Sequence, residues 1–470
     1  MSPIIMYGAA ILAVCVVVFM LIKKMDIKMT LFLIGIVLMY IAMAFGDGIA
    51  IKDFESSGIA LLDPLKAIVD QFKSTISSAG FIILILGGYS SYMSQIKANN
   101  VTVSVLTRPI AKIKSVYILV PLVFLLGNVL SLVIPSASNL AVILLATLYP
   151  IMVRSGMSSL TAGAIIATTA TVMPTPLGSD NVAIAAELAN TAEFAGLTAS
   201  DYVFKYHAII SIPTLIIMAV VHYFWQRFQD KRAVSKGEVD AKLPDVEEVP
   251  GGKLFRTVYA ILPLLPIILL IVVFALQSFG IKIDLSVEVA ILFSLVIAII
   301  CELIRTRNGR ETLKSTEAFF KGMGGALPIV ALLVAGTTFV NGLKSIGLID
   351  ALQNAMTGIQ GNGMGFVLPL ILVALTALIV ILSGSGTALF FAMVPLMVPL
   401  AAAAGISVLA ISVPMGLAGN LLRAVSPVSA VIMIVAGTIK KEPLEIVKRT
   451  SVPMIAGTIF MFVLSMIMFL

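Results

Sequence analysis

Runs of about 20 apolar residues recur from one end of this chain to the other, and no other feature constrains its fold so tightly. Such a run can enter hydrocarbon only as a helix, because every backbone N–H and C=O must then find its partner within the segment. The expected fold class is therefore an all-α polytopic membrane protein. Candidate spans are residues 4–22, 29–45, 76–96, 158–190, 203–225, 257–277, 287–304, 322–342, 406–437 and 450–470. Only 12% of the 470 residues are charged, about half the share of a soluble domain. The longest polar stretch, Arg227 to Arg256, is too short to bury a core of its own. The first run, Ile4 to Ile22, is followed rather than preceded by Lys23 and Lys24, so it reads as a span and not as a secretory signal.

Orientation follows from the cations, which collect on cytoplasmic loops. With the N-terminus outside, 24 of the 31 Lys and Arg residues fall on inner loops and six on outer ones, leaving Arg423 inside a span. Both termini are therefore expected outside. A cysteine at Gly237 is expected in the cytoplasm and one at Asp63 outside. The net charge of +7 then needs no nucleic acid to explain it. Cys15 and Cys301 lie in apolar runs, so neither a disulfide nor a metal site is expected. His207 and His222 share no ligand spacing and are expected near the membrane interfaces.

Two more apolar segments, 117–154 and 366–404, carry a small polar cluster at the middle. Each reads either as two spans joined by a tight loop or as a re-entrant hairpin. Their tips lack the charge or aromatic anchor of a headgroup loop, which favours hairpins. The runs 158–190 and 406–437 are too long for one span and are interrupted by Pro, Gly and polar residues, so they read as broken helices. The order of parts in 1–225 recurs in 257–470, with 226–256 as a cytoplasmic linker. Each half holds five spans plus one hairpin. Five is odd, so the second half enters the membrane upside down: an inverted repeat, with broken helices at the midplane. Ser136 to Pro176 is 40 residues, and Ser385 to Ser426 is 41.

Broken helices and hairpin tips leave backbone groups without partners at depth. Ser138, Asn139 and Thr387 stand where second arms would begin, and such residues cap helix N-termini, which favour anions. The candidate substrate-binding set is Ser136, Ser138, Asn139, Thr175, Ser179, Asn181, Ser383, Ser385, Thr387, Asn420, Arg423 and Ser426. Close helix packing is the structural alternative for such small-residue clusters. Arg423 stands out, since a cation inside a span is costly unless it is paired or lines a wet cavity. Its fork of donors fits a carboxylate. Asp180 is the acid of the mirror-related segment. It could support a cation or take a proton, or it could simply neutralise Arg423.

These clusters also carry a family resemblance. The chain resembles the anaerobic four-carbon dicarboxylate carriers of bacteria, the Dcu carriers of type C. The resemblance lies in Gly88-Tyr89 to Asn100, in SASNLAVILLATLYP (Ser136 to Pro150), in HYFWQRFQDK (His222 to Lys231) and most densely in Asn420 to Val452. It implies exchange, uptake or efflux of succinate, fumarate and malate across the inner membrane, with no cofactor and with Na⁺ or H⁺ as the coupling ion. It further implies membership of the wider ion-transporter superfamily, where paired hairpins and broken helices form the site, a homodimer is common and an elevator-like motion carries the site. Hairpin tips there typically read Ser-Asn-Thr. This chain has Ser138-Asn139-Leu140 and Ser385-Gly386-Thr387, which weakens the expectation of sodium coordination more than that of anion binding. The expected partners are a small dicarboxylate and the lipid bilayer. Another small organic anion or an amino acid is the alternative cargo. An enzyme is disfavoured because no HExxH, GxSxG or Ser/His/Asp arrangement occurs within the spans. A channel would favour charge rings or repeated filter loops.

Overall fold

The computed structural model describes residues 2–470 except 24, 52–53, 109, 111–112, 114, 135, 173, 235–251, 284, 352–364 and 385. Ser385, Gly237 and most of the expected linker thus lie outside the described residues. Every regular element among the described residues is helical. Helices α1 (Pro3–Ile22) and α2 (Ile27–Ala44) are the first two spans, the second capped by Asp26. Helix α3 (Asp63–Thr75) turns through a kinked π-turn, Ile76–Gly80, into α4 (Phe81–Gln95), and α5 (Ala98–Thr107) follows. Asp63 is buried and accepts hydrogen bonds from Ser56 and Ser57, so it is a loop brace and not the open surface position the sequence implied.

The segment 117–154 forms α6 (Val116–Ser131), α7 (Ala137–Thr147) and α8 (Tyr149–Arg154). The run 158–190 is broken into α9 (Ser159–Ala167) and α10 (Ser179–Ala189). Helix α11 (Ala199–Tyr202) leads through a π-turn into the long α12 (Ala208–Val234). Next come α13 (Lys253–Ile261), α14 (Leu265–Ser278), α15 (Val287–Thr306), α16 (Gly309–Ser315) and α17 (Glu317–Ser345). The segment 366–404 forms α18 (Val367–Ser383) and α19 (Thr387–Ala404), and 406–437 is broken into α20 (Leu409–Arg423) and α21 (Ala430–Ile439). The chain ends on α22 (Pro443–Phe469). Among the described residues, eight helical stretches are long and apolar enough to cross a membrane. Together with the two broken helices they match the ten spans read from the sequence.

Arm α6 has 16 residues, about 24 Å of helix, which is short of the hydrocarbon thickness. Both tips meet the breaks of the helices that follow them. Thr175 of the first break donates to the Leu132 carbonyl at the end of α6 (3.5 Å), and Ser426 of the second donates to the Ile381 carbonyl near the end of α18 (2.8 Å). At the second tip Gly384 has φ +76°, and a Cβ there would sit 2.6 Å from the Val428 carbonyl. A Cβ on Gly386 would sit 2.8 Å from the Gly419 carbonyl. Only glycine lets the two backbones approach so closely. Each tip is thus seated against the break of the helix that follows it.

Helix α12 continues into what the sequence presents as the start of the linker. The reason is a buried ion pair. Asp230 and Arg449, 9% and 5% exposed, meet at 2.6 Å. Ser158 and Thr161 at the start of α9 both donate to Asp230 (2.8 and 2.9 Å), and the Gln226 amide donates to the Arg449 carbonyl (2.9 Å). These contacts tie α9, α12 and α22 together. The cation count had placed Arg449 on an inner loop, yet it is buried. His207 and His222 are also buried within the protein, at 2% and 0%, and His222 packs against Phe124 with ring centroids 4.8 Å apart.

Candidate functional site

The breaks at 168–178 and 424–429 free backbone groups that side chains then satisfy. Asn128 of α6 accepts from the Thr171 and Val172 N–H groups (3.2 and 3.3 Å) and donates to the Thr168 carbonyl (3.4 Å). The buried Thr450 hydroxyl donates to the Ala424 carbonyl (2.6 Å) at the end of α20. Asn128 escaped the sequence reading, although a lone amide within an apolar arm was its visible signal.

Three polar segments converge on one small cavity of about 80 Å³. The start of α10 supplies Ser179 and Asp180, the start of α19 supplies Thr387, and the end of α20 supplies Asn420 and Arg423. Phe390 and Phe391 of α19, neither marked by the sequence pattern, form an apolar wall. Two hydrogen bonds cross from α20 to the first broken helix. Asn420 Nδ2 donates to Asp180 Oδ2 (2.9 Å), and Arg423 Nη2 donates to the Ala170 carbonyl (2.8 Å). Ala170 sits in the left-handed region at φ +59°, which turns the chain at the break. Among the described residues Asp180 and Arg423 form no direct ion pair; each is held by a different group. The bond to Ala170 uses one of the five guanidinium donors.

A second cavity, about 420 Å³, opens on the first hairpin tip. Ser136 and Asn139 line it together with Ser90, Ser91 and Ser94 of α4, and Ser179 lines both cavities. The cap of α7 is Ser136, which accepts from the Asn139 N–H (3.3 Å), and not Ser138 or Asn139 as residue type alone implied. The helix starts at Ala137, one residue before Ser138 and two before Asn139, so both fall within its first turn.

The remaining candidates divide by burial. Thr175, Asn181 and Ser426 are buried at 0–1% and brace backbone: Asn181 donates to the Thr175 carbonyl (2.9 Å), and Thr175 and Ser426 hold the hairpin arms. Their hydroxyls and amide are spent within the protein, so they shape the site rather than face either cavity. Ser138 and Ser383 are half-buried and line neither one. What remains facing open space is one guanidinium, two amides, one carboxylate and a set of hydroxyls. That set can hold an anionic group at Arg423 and Asn420 and a cation or proton at Asp180.

A family model described as C4-dicarboxylate anaerobic carrier matches residues 6–470. The chain is 36% identical over 442 residues to a protein of Vibrio cholerae named as a probable anaerobic C4-dicarboxylate transporter DcuC, covering 92% of this chain and 91% of that one. It is 33% identical over 449 residues to the anaerobic C4-dicarboxylate transporter DcuC of Escherichia coli strain K12, covering 95% and 93%. Among solved structures, the YdaH transporter of Alcanivorax borkumensis superposes with a TM-score of 0.66 at 15% identity, over 94% of this chain and 98% of that one. MtrF of Neisseria gonorrhoeae superposes at 0.62 and 16% identity, over 93% and 94%. At those identities the two structures speak for the fold alone.

Proposed function

The chain belongs to the C4-dicarboxylate anaerobic carrier family, and on that premise we propose that it is a secondary carrier moving succinate, fumarate or malate across the bacterial inner membrane. The family and the curated relatives are transporters, not enzymes. The observation that carries the reading is the convergence of Arg423, Asn420, Thr387 and the start of α10 on one cavity between two broken helices. Arg423 takes a substrate carboxylate. Asp180, held by Asn420, serves the coupling cation, Na⁺ or H⁺. No cofactor is required.

The two halves, 1–225 and 257–470, are read as an inverted repeat. Support comes from the equivalent tip-to-break hydrogen bonds, Thr175 to Leu132 and Ser426 to Ile381, whose acceptors each lie four residues before the matched serines Ser136 and Ser385. Such repeats place the substrate between the halves and allow alternating access. An elevator-like motion of the hairpins and broken helices, and a homodimeric assembly, complete the proposal. The test is counterflow with purified protein in liposomes, across a panel of dicarboxylates, with and without Na⁺ and a pH gradient. Saturable counterflow of a four-carbon dicarboxylate is expected. Counterflow restricted to amino acids or other organic anions would replace the substrate, and unitary currents would replace the carrier.

Both termini are placed outside, on the strength of the cation asymmetry. Cysteine probes belong at exposed positions, with Cys15 and Cys301 first replaced by Ala. Glu55→Cys should react with an impermeant thiol reagent in intact right-side-out vesicles, and Arg310→Cys should react only after permeabilisation. The reverse pattern would turn the protein over in the membrane.

A further inference from the structure

The 80 Å³ cavity beside Arg423 is well below the roughly 300 Å³ at the lower end of small-molecule pockets. It has room for one end of a diacid. The adjoining 420 Å³ cavity falls within the usual range, and Ser179 lines both. Its far wall is one face of α4. Positions 83, 86, 87, 90, 91 and 94 follow helical spacing, and along them Ile83 and Leu86 give way to Ser90, Ser91 and Ser94. The serines share this cavity with Ser136 and Asn139 of the first tip. Ser94 accepts from Asn99 (2.8 Å) and donates to the Ser90 carbonyl (3.0 Å), so its hydroxyl is already engaged. Ser90 and Ser91 are partly exposed to the cavity. This face contains no cation, and it is not part of the hairpins or broken helices.

We infer that Ser90 and Ser91, with Ser136 and Asn139, form an uncharged hydrogen-bonding subsite for the second carboxylate of the substrate, while Arg423 holds the first. The inference rests on the dicarboxylate reading above. It assigns α4 a specificity role. A neutral site holds a carboxylate more weakly than a guanidinium does, so this end can let go while the other stays bound. The apolar side chains of Leu86 and Leu177 also line the larger cavity and can take methylenes.

The experiment compares binding of succinate and of butyrate, its one-carboxylate analogue, to the purified full-length carrier. Ser90→Ala with Ser91→Ala should weaken succinate roughly tenfold, the loss of two modest hydrogen bonds. Butyrate affinity should stay within twofold, so the preference for the diacid collapses. Alanine suits a helix better than serine, so the variant keeps its fold. A second reading uses Ser90→Cys, again with Cys15 and Cys301 replaced by Ala. It should react with a water-soluble thiol reagent, and succinate should protect it at concentrations where butyrate does not. If the double variant keeps its diacid preference, or weakens both ligands alike, the subsite is wrong and the wider reading stands. If the unaltered carrier binds no dicarboxylate, both fall.

Discussion

Replacing Arg423 with Ala should abolish dicarboxylate uptake while the protein still reaches the membrane in normal amount. The side chain stands at the end of α20, half-buried, and reaches the first broken helix. A charge-assisted hydrogen bond is worth about 1.5–3 kcal/mol. Arg423→Lys keeps the charge but loses the bidentate fork, so substrate affinity should fall roughly ten- to a hundredfold. Two other roles can be separated from binding. Were Arg423 needed only to neutralise Asp180, the double change Arg423→Ala with Asp180→Ala would restore uptake. The geometry points the other way, since Asp180 is held by Asn420 and Arg423 by the Ala170 carbonyl. Were Arg423 needed only to satisfy that carbonyl, Arg423→Gln would retain a donor and keep uptake. Near-normal uptake in either variant, measured in reconstituted vesicles, would remove the binding role.

The second large effect is on stability. Asp230→Ala should leave Arg449 as a buried, unpaired cation and remove the carboxylate that the Ser158 and Thr161 hydroxyls donate to. Removing one member of a buried pair costs about 3–5 kcal/mol. The expected result is a sharply lower midpoint of thermal unfolding in detergent and little protein in the membrane. Replacing both partners, Asp230→Leu with Arg449→Met, removes the unpaired charge and should recover most of the midpoint. A double variant as unstable as Asp230→Ala would mean that the surrounding hydrogen bonds, rather than the charge pair, hold α9, α12 and α22 together.

Arg423 and Arg449 differ sharply in how far the sequence reveals them. Arg423 was conspicuous because a lone cation inside an apolar run is expensive wherever it sits. Arg449 lay at the edge of a run, among Lys440, Lys441 and Lys448, and looked like one more loop cation. Only the continuation of α12 past residue 226 brings Asp230 to it. Likewise, Ser, Thr and Asn in the polar clusters were interchangeable as letters. The structure divides them into backbone braces, as with Thr175, Asn181 and Ser426, and groups facing open cavities, as with Ser179, Thr387 and Asn420.

What the sequence by itself determined was the helical class, the eight long apolar segments, the two breaks and the two polar clusters. Each follows from a local balance: apolar side chains enter lipid, backbone groups must pair within the segment, and Pro or Gly interrupts that pairing. Tertiary structure alone decided which helix end meets which tip and that Asn128 repairs the first break. It also decided that Arg423 reaches Ala170, 253 positions away, and that one face of α4 closes the larger cavity. Those outcomes depend on close packing and on hydrogen bonds between distant segments. Their partners are set by three-dimensional proximity, for which the spacing of letters along the chain holds no local signal.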